Sequence, residues 1–234
     1  MAEMHDTTEE YLETILEIEE EGIKPMRARL VERLGLSAAA VSETVGRLVD
    51  HGYAELLDDR SLRLTPKGRG LATTVVRRHR LAERLLTDVI GLEWEKVHRE
   101  ADRWEHAISA DVEEKLVELL GDPSTCPHGN PIPGSRRKTG RVVTTRLNDT
   151  DGAVTVARIS EKLELSDEGL KLLSDARLIP GCAANVVERD VDGVVVETAT
   201  GRFTIPREVA DQVSVTAGAD GGAPDTAGSL AASR

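Results

Sequence analysis

Only two cysteines, Cys126 and Cys182, occur in the 234 residues, far apart and with no partner at CxxC spacing. This excludes a disulfide framework and a cysteine-built zinc site, and leaves both as plain thiols. No run approaches the roughly 18 uncharged apolar residues that a membrane-spanning helix needs. The segment MAEMHDTTEEYLETI is acidic where a secretion signal is basic and then apolar, so the expected location is the cytoplasm. Positive charge is not in excess either: the formal net charge is −12, which taken alone argues against a nucleic-acid partner.

That average hides a segregation of sign along the chain. From Lys24 to Arg80 there are twelve Lys/Arg against six Asp/Glu, a local +6 that can face phosphates. With 39% apolar residues the chain can bury a sizeable core, and its length fits one to three modest domains.

Residues 8–20 place Tyr11, Leu12, Ile15, Leu16 and Ile18 at helical spacing, with Thr7 or Thr8 as the expected N-cap. Leu30, Val31 and Leu34 lead to Gly35, and Val41, Val45, Leu48 and Val49 share one face up to Gly52. Two short helices around the tight Gly35-Leu36-Ser37 turn outline a helix-turn-helix. Residues 53–57, the turn formers Asp58-Asp59 and the alternating Ser61-Leu-Arg-Leu64 read as a β-hairpin, the wing. Thr65-Pro66 opens a long helix to Gly91, followed by helices over about 93–107 and from Ser109 to Leu120. These carry more apolar surface than one small domain needs, which suits dimerisation or an intrachain core. Residues 121–140, rich in Pro and Gly and holding the basic cluster Arg136-Arg137-Lys138, read as a linker. Short β-rich stretches then surround one helical segment, 167–174, as in a small barrel, and the last residues have little that could pack.

A helix-turn-helix sets the start of its second helix in the major groove, so Ser37, Ala38, Ala39, Ser42 and Glu43 are the candidate base-facing residues. Ala can meet a thymine methyl, Ser can donate or accept, and Glu43 can accept from cytosine N4. Arg27, Arg29, Arg47, Arg60 and Arg63 are candidates for phosphate contacts, which fix register without reading sequence. For any one arginine the bland alternative is a solvated surface charge, and for Glu43 a helix residue that avoids the bases.

The spacing His98-x3-Asp102-x2-Glu105-His106 puts four metal-binding side chains within one arc of a helix face. The preceding helix adds His79 and Glu83 at i,i+4, and the first helix adds Glu10 and Glu13 at i,i+3. Each pair alone is an ordinary solvated face. Together, from three helices and without a sulfur ligand, they suit a divalent first-row metal at one or two sites. A di-metal hydrolase is the alternative from another class, since such clusters also build catalytic centres, but the winged helix argues against it. A metal-independent winged-helix regulator with a ligand-binding barrel is a third.

The stretches DTTEEYLETI, DRSLRLTPKGRGLAT, RRHRLAERLLTDVIGLEWEKVH, RWEHAIS and GNPIPG are those by which the chain resembles the diphtheria toxin repressor family of metal-dependent regulators. LSDARLIPGCAANVVERD is similar to the family's C-terminal SH3-like barrel. The resemblance implies a mainly α protein with small β parts. Its winged helix would span residues 1–74, a helical metal-binding and dimerisation domain 75–121, a Pro/Gly linker 122–140, an SH3-like barrel 141–216 and a disordered tail 217–234. It implies a homodimer on double-stranded palindromic operator DNA, two ions per subunit, no membrane, no small organic substrate and no enzymatic activity. By position, His79, Glu83 and His98 match the family's ancillary metal site, and Glu10, Asp102, Glu105 and His106 its primary, activating site. The iron-responsive branch has methionine and cysteine where this chain has Glu10 and Asp102; the manganese-responsive branch has carboxylates there and at Glu13. Carboxylate in place of sulfur hardens the site, which makes Mn2+ the expected signal and Fe2+ the alternative. In iron-responsive relatives the barrel lends ligands to the ancillary site, and Glu164 or Glu168 is the implied counterpart here.

Overall fold

The structure, a computed structural model, describes residues 2–137 and 143–218. The tail expected over 217–234 therefore lies outside the described residues except for its first two positions, as do Lys138 of the basic cluster and Val142 at the start of the first barrel stretch. The chain divides into two compact units, one of residues 1–141 and 159–170, the other of 142–158 and 171–234.

In the first unit the chain opens with α1 (Ala2–Glu20), then α2 (Arg27–Leu34) and α3 (Ala38–Asp50). The first helix starts ahead of Thr7 and Thr8, so neither is its N-cap: the acidic residues before them continue the helix instead of breaking it. Gly35 ends α2 at φ 65°, a left-handed conformation that glycine adopts without penalty, and the Ser37 hydroxyl caps α3 by accepting from Ala40 N at 3.2 Å. Strands β1 (Ala54–Leu56) and β2 (Leu62–Leu64) pair antiparallel as the wing. Tyr11, Leu12, Ile15 and Ile18 of α1 pack with Leu30, Val41, Val45, Leu48 and Leu62 into the core of this head.

Helix α4 (Pro66–Leu85) is capped by Thr65, which accepts from Gly68 N at 3.1 Å. Gly68 lies so close to the wing that a Cβ would sit 1.9 Å from the Tyr53 carbonyl oxygen, so the first turn of α4 admits no side chain there. A π-helical turn, Leu86–Ile90, continues α4 to Gly91, then come a 3-10 turn, α5 (Val97–Trp104) and α6 (Ala110–Leu120). Leu81, Leu86, Val97, Ala101, Ile108, Leu116 and Ile132 form a second core.

Within its described part, the segment read as a linker is folded down and is not a tether. Arg77, Arg80 and Arg84, spaced along one face of α4, donate to the carbonyl oxygens of Pro133, Pro131 and Thr125, and Thr125 forms a bridge with Pro131. Proline and glycine set its turns, and arginine donors supply the hydrogen bonds that the irregular backbone cannot make to itself. The unit also takes in α7 (Glu161–Glu164) and the start of α8 (Asp167–Asp175), residues that the sequence reading assigns to the barrel.

The second unit is built on β3 (Thr145–Arg146), β4 (Gly152–Ile159), β5 (Ala183–Arg189), β6 (Gly193–Thr198), β7 (Gly201–Pro206) and β8 (Val213–Ala217), with α9 (Arg207–Ala210) between the last two. These make a six-stranded sheet in the order β3-β8-β4-β5-β6-β7, with β3–β8, β4–β5, β5–β6 and β6–β7 antiparallel. Val154, Val156, Val186, Val194, Val196 and Ile205 are buried, the alternation a one-faced sheet requires. This is the small SH3-like β portion expected in addition to the winged helix and the dimerisation helices. No helix among the described residues is long and apolar enough to cross a membrane.

Candidate metal centre and nucleic-acid interface

Helix α1 presents its apolar stripe to the head core, which leaves Glu10, Glu13 and Glu17, one turn apart, on another face. They line a cleft of about 320 Å³ with His79 of α4, His98 and Asp102 of α5, Glu105 and His106 just beyond it, and Glu161 of α7. Seven of the ten predicted ligands thus share one cavity. Glu13, His79 and Glu105 form one compact donor group, and His79, Glu83 and His98 another.

His79 stands between them. Its Nδ1 lies 2.6 Å from Glu105 Oε2 and 3.4 Å from Asp102 Oδ1, while its Nε2 faces His98 Nδ1 at 3.1 Å and Glu83 Oε1 at 3.4 Å. His106 turns Nδ1 to Glu9 Oε2 at 2.8 Å and Nε2 to Glu105 Oε1 at 3.3 Å. Asp102 is half-exposed at the rim.

Behind Glu83 the cluster continues through residues that periodicity did not single out. His128 Nδ1 lies 3.0 Å from Glu83 Oε1 and 2.9 Å from Glu164 Oε2, and Glu164 Oε2 lies 3.2 Å from His98 Nδ1. Glu83, Cys126 and His128 are a further donor group, and His98, Glu161 and Glu164 another. Trp94 covers the His128 ring at 4.6 Å. Asn130 Nδ2 donates to Glu164 Oε1 at 2.6 Å. Of the two residues implied from the barrel, Glu164 is buried in this cluster; Glu168 is exposed on α8 and belongs to no donor group among the described residues, so its part in the expectation falls. Gly169, Leu170 and Leu173 are the buried positions of α8, and Glu168 lies off that face.

The electrostatics are those of a site arranged for positive charge. Burial opposes the charge on His79, His98 and His128, yet the carboxylates around each outweigh it and hold all three well above the ordinary histidine value. Burial would raise the Glu83 carboxyl, but His128, His79 and His98 hold it well below the usual range. Burial, and then the neighbouring charges of Glu105 and Glu17, push Glu13 well up. Glu10 is raised by loss of water, against the pull of His106 and with the help of Asp102 and Glu105. Cys126 is pushed up to about 12 by burial and by Glu83, so it rests as a thiol. Four buried ligand atoms of the site, Glu13 Oε1, Glu83 Oε2, His128 Nε2 and Glu164 Oε2, have no hydrogen-bond partner. An unpaired buried acceptor is costly, and a cation bound there would remove that cost, so the residues fit a divalent metal.

The other candidate surface is on the head. Ala38, Ala39, Ser42 and Glu43 are exposed on α3, where small side chains allow close approach. Ser37 is exposed too, although its oxygen already serves as the helix cap. Arg29 pairs with Glu32, Arg47 with Glu43, and Arg63 with Glu55, all at the surface, and Arg60 occupies the wing turn at φ 65°. Arg27 is partly buried, and its Nε has no partner.

A winged helix joined to a buried His/carboxylate centre defines a metal-responsive DNA-binding regulator, and comparison with known proteins agrees. The family described as "Iron dependent repressor, N-terminal DNA binding domain" matches residues 3–62, and "Iron dependent repressor, metal binding and dimerisation domain" matches residues 65–134. The iron-dependent repressor IdeR of Mycobacterium tuberculosis is 44% identical over 227 residues, covering 92% of this chain and 99% of its own length. The diphtheria toxin repressor of Corynebacterium diphtheriae is 46% identical over 199 residues, covering 81% of this chain and 88% of its own length. A solved manganese-dependent transcriptional repressor in complex with manganese superposes with a TM-score of 0.77 at 30% identity, covering 90% of this chain and 99% of that one. The chain belongs to the iron-dependent (diphtheria toxin) repressor family. This is a family of metal-dependent, DNA-binding transcriptional repressors with a dimerisation domain, not of enzymes.

Proposed function

We propose that the protein represses genes of metal-ion homeostasis by binding a palindromic operator as a homodimer in the cytoplasm, with Mn2+ as the activating signal. The observation that carries this reading is the cleft where donors of the head, Glu10 and Glu13 on α1, meet donors of the body, His79, Asp102, Glu105 and His106. Every one of these donors is oxygen or nitrogen, and hard ligands favour Mn2+ over softer metals.

Glu10, Glu13, Asp102, Glu105 and His106 would hold the activating ion. Glu83, His98, His128 and Glu164, with His79 between the two centres, would hold the second. A divalent cation supplies the charge that lets several carboxylates approach one another. The chain itself does the rest: α1 brings Glu10 and Glu13 with the head, α5 brings Asp102 and Glu105 with the body, and their convergence fixes the angle of α3. Two heads related by a two-fold axis then match successive major grooves, about 34 Å apart. Differential donor number between the free and DNA-competent arrangements is the coupling that such a switch requires. On α3, Ala38, Ala39, Ser42 and Glu43 would read bases; Arg27 and Arg60 would hold phosphates, as would Arg29, Arg47 and Arg63 once their surface carboxylate partners Glu32, Glu43 and Glu55 are exchanged.

Fe2+ is the second reading. It is favoured by the likeness, at 44–46% identity, to the iron-dependent repressor IdeR and the diphtheria toxin repressor, and by the imidazole-rich inner centre, which Fe2+ also accepts. Titration of DNA binding with Mn2+, Fe2+, Co2+ and Zn2+ under anaerobic, reducing conditions decides between them. A larger maximal gain in operator affinity with saturating Mn2+ than with saturating Fe2+ supports the first reading, and the reverse the second. Half-saturation alone does not decide, because an N/O site binds Co2+ and Zn2+ more tightly than Mn2+ whichever metal is the signal. Equal binding in the presence of a chelator removes both.

A further inference from the structure

Helix α7 is a single turn, and each polar side chain on it is held by a different part of the helical unit. Glu164 faces inward, 2.9 Å from His128 Nδ1 and 3.2 Å from His98 Nδ1, with Asn130 donating to its other oxygen. Glu161 accepts from Arg80 Nη2 at 2.8 Å, and the same nitrogen donates to Glu20 near the end of α1 at 2.7 Å. Lys162 points the other way and is paired with Glu32 of α2, the first helix of the helix-turn-helix.

A helix this short has no stability of its own, because nucleation is unfavourable and nothing follows to offset it. Its position is set by what holds its side chains. Glu161, Lys162 and Glu164 also move as one body, since all lie within a single turn. Whatever fixes Glu164 at the buried imidazoles therefore fixes the point from which Lys162 reaches the head.

We propose that α7 is a strut that transmits the state of the His98–His128–Glu164 centre to the DNA-binding head through the Lys162–Glu32 ion pair, which makes Lys162 and Glu32 positioning residues for operator binding. This rests on the metal-dependent function proposed above. It adds a second route from metal to DNA, distinct from the cleft on α1: the inner centre acts on α2, while Glu10 and Glu13 act on α1. Glu32 is shared with Arg29 through a surface pair, so the strut also bears on a residue placed to hold phosphate.

The pair is partly exposed, with 45% and 40% of the two side chains accessible, so its effect is bounded. Loss of such a pair changes a binding constant by about two- to fivefold, and charge reversal adds repulsion to that loss.

The test uses the full-length protein and a duplex selected from genomic fragments by the wild type. Operator affinity is measured with saturating Mn2+ and with a chelator, and Mn2+ binding is measured without DNA, for the wild type, Lys162→Gln, Lys162→Glu and the swapped pair Lys162→Glu/Glu32→Lys. The expected result is that Lys162→Gln loses about two- to fivefold of the Mn2+-dependent gain in affinity and Lys162→Glu loses more, with the swapped pair recovering it. Mn2+ stoichiometry and DNA binding in chelator should stay at the wild-type level in both single variants. Any effect of Glu32→Lys on Arg29 enters both metal states and cancels from the gain. A wild-type gain in Lys162→Glu, an equal loss in both metal states, or no recovery in the swapped pair overturns the strut while leaving the metal-dependent function standing. No Mn2+-dependent gain in the wild type overturns that function and the strut with it.

Discussion

His79 Nε2 lies 3.1 Å from His98 Nδ1 in the buried centre of the helical unit, so one of these nitrogens carries the hydrogen that the other accepts. Coordination of an ion by both imidazoles needs both lone pairs, so that proton has to leave or move. The surrounding carboxylates hold His79, His98 and His128 well above the ordinary histidine value, which keeps protons on the cluster through neutral pH. A raised value means that the protonated form, which competes with metal, persists above about pH 6.5. Metal affinity is therefore weakest in acid and strengthens as pH rises through the raised values. Calorimetry at pH 7 in two buffers of different ionisation heat should show net proton release on Mn2+ binding; zero release would contradict the protonated cluster.

Glu17 gives a stability prediction. Burial, and then the charge of Glu161, raise its carboxyl to about 8. In the unfolded chain the group ionises near pH 4.5, so between about 4.5 and 8 the folded state binds the extra proton and stability falls as pH rises. Glu17→Gln removes that penalty. The metal-free variant should melt higher than the wild type at pH 7.5 and show little difference at pH 4.5. Equal melting temperatures at pH 7.5 would mean that Glu17 is ionised and solvated in the folded protein.

On the head, Arg63 and Glu43 should behave differently. Arg63→Ala removes a wing charge that can hold phosphate, so it should weaken binding to all duplexes alike and lower the salt slope by about one unit. Glu43→Ala removes an acceptor at the base-facing end of α3 and a partner of Arg47. It should change the preferred sequence more than the overall affinity, by about 1–3 kcal/mol at one base pair. Selection from a random duplex library measures both; an unchanged consensus for Glu43→Ala would remove it from the reading surface.

Val89 and Ile90, in the π-helical turn after α4, are 56% and 55% exposed, unusual for adjacent large apolar residues. Subunit pairing through the dimerisation domain would cover them. Val89→Glu/Ile90→Glu should then raise the dimer dissociation constant by about tenfold or more, because a charge would have to be buried unpaired. Sedimentation equilibrium decides this, and an unchanged dimer places the interface elsewhere.

What the sequence made legible follows from periodicity. Glu10/Glu13, His79/Glu83 and Asp102/Glu105/His106 are visible as pairs because a helix turns once in 3.6 residues, and the structure brings them to one cleft apart from Glu83, which lies just behind it. His128 and Cys126 escaped because they lie on irregular backbone, where no period exists, inside a stretch whose Pro and Gly read as linker. The signal available was local: a cysteine and a histidine two residues apart, beside an asparagine, in a chain with only six histidines. Glu161 and Glu17 escaped for a different reason. Their roles depend on Arg80 and on α7: Glu161 meets Arg80 across 81 positions, and the charge of Glu161 acts on Glu17 of α1, relationships that spacing along one helix cannot reveal. Glu164 and Glu168 came from the family resemblance and not from periodicity, which could not choose between them; the structure buries Glu164 and leaves Glu168 exposed.

The central claim is that α1 and the body close on the same ion, and Glu13 is the residue on which it turns, buried with one oxygen unpartnered. The direct measurement is operator affinity of the wild type and of Glu13→Gln, each with saturating Mn2+ and with a chelator. The wild type should gain on the order of 5- to 150-fold with Mn2+, the range of coupling free energies between two sites, and Glu13→Gln should lose most of that gain while matching the wild type in chelator. The same gain in both proteins would contradict the account.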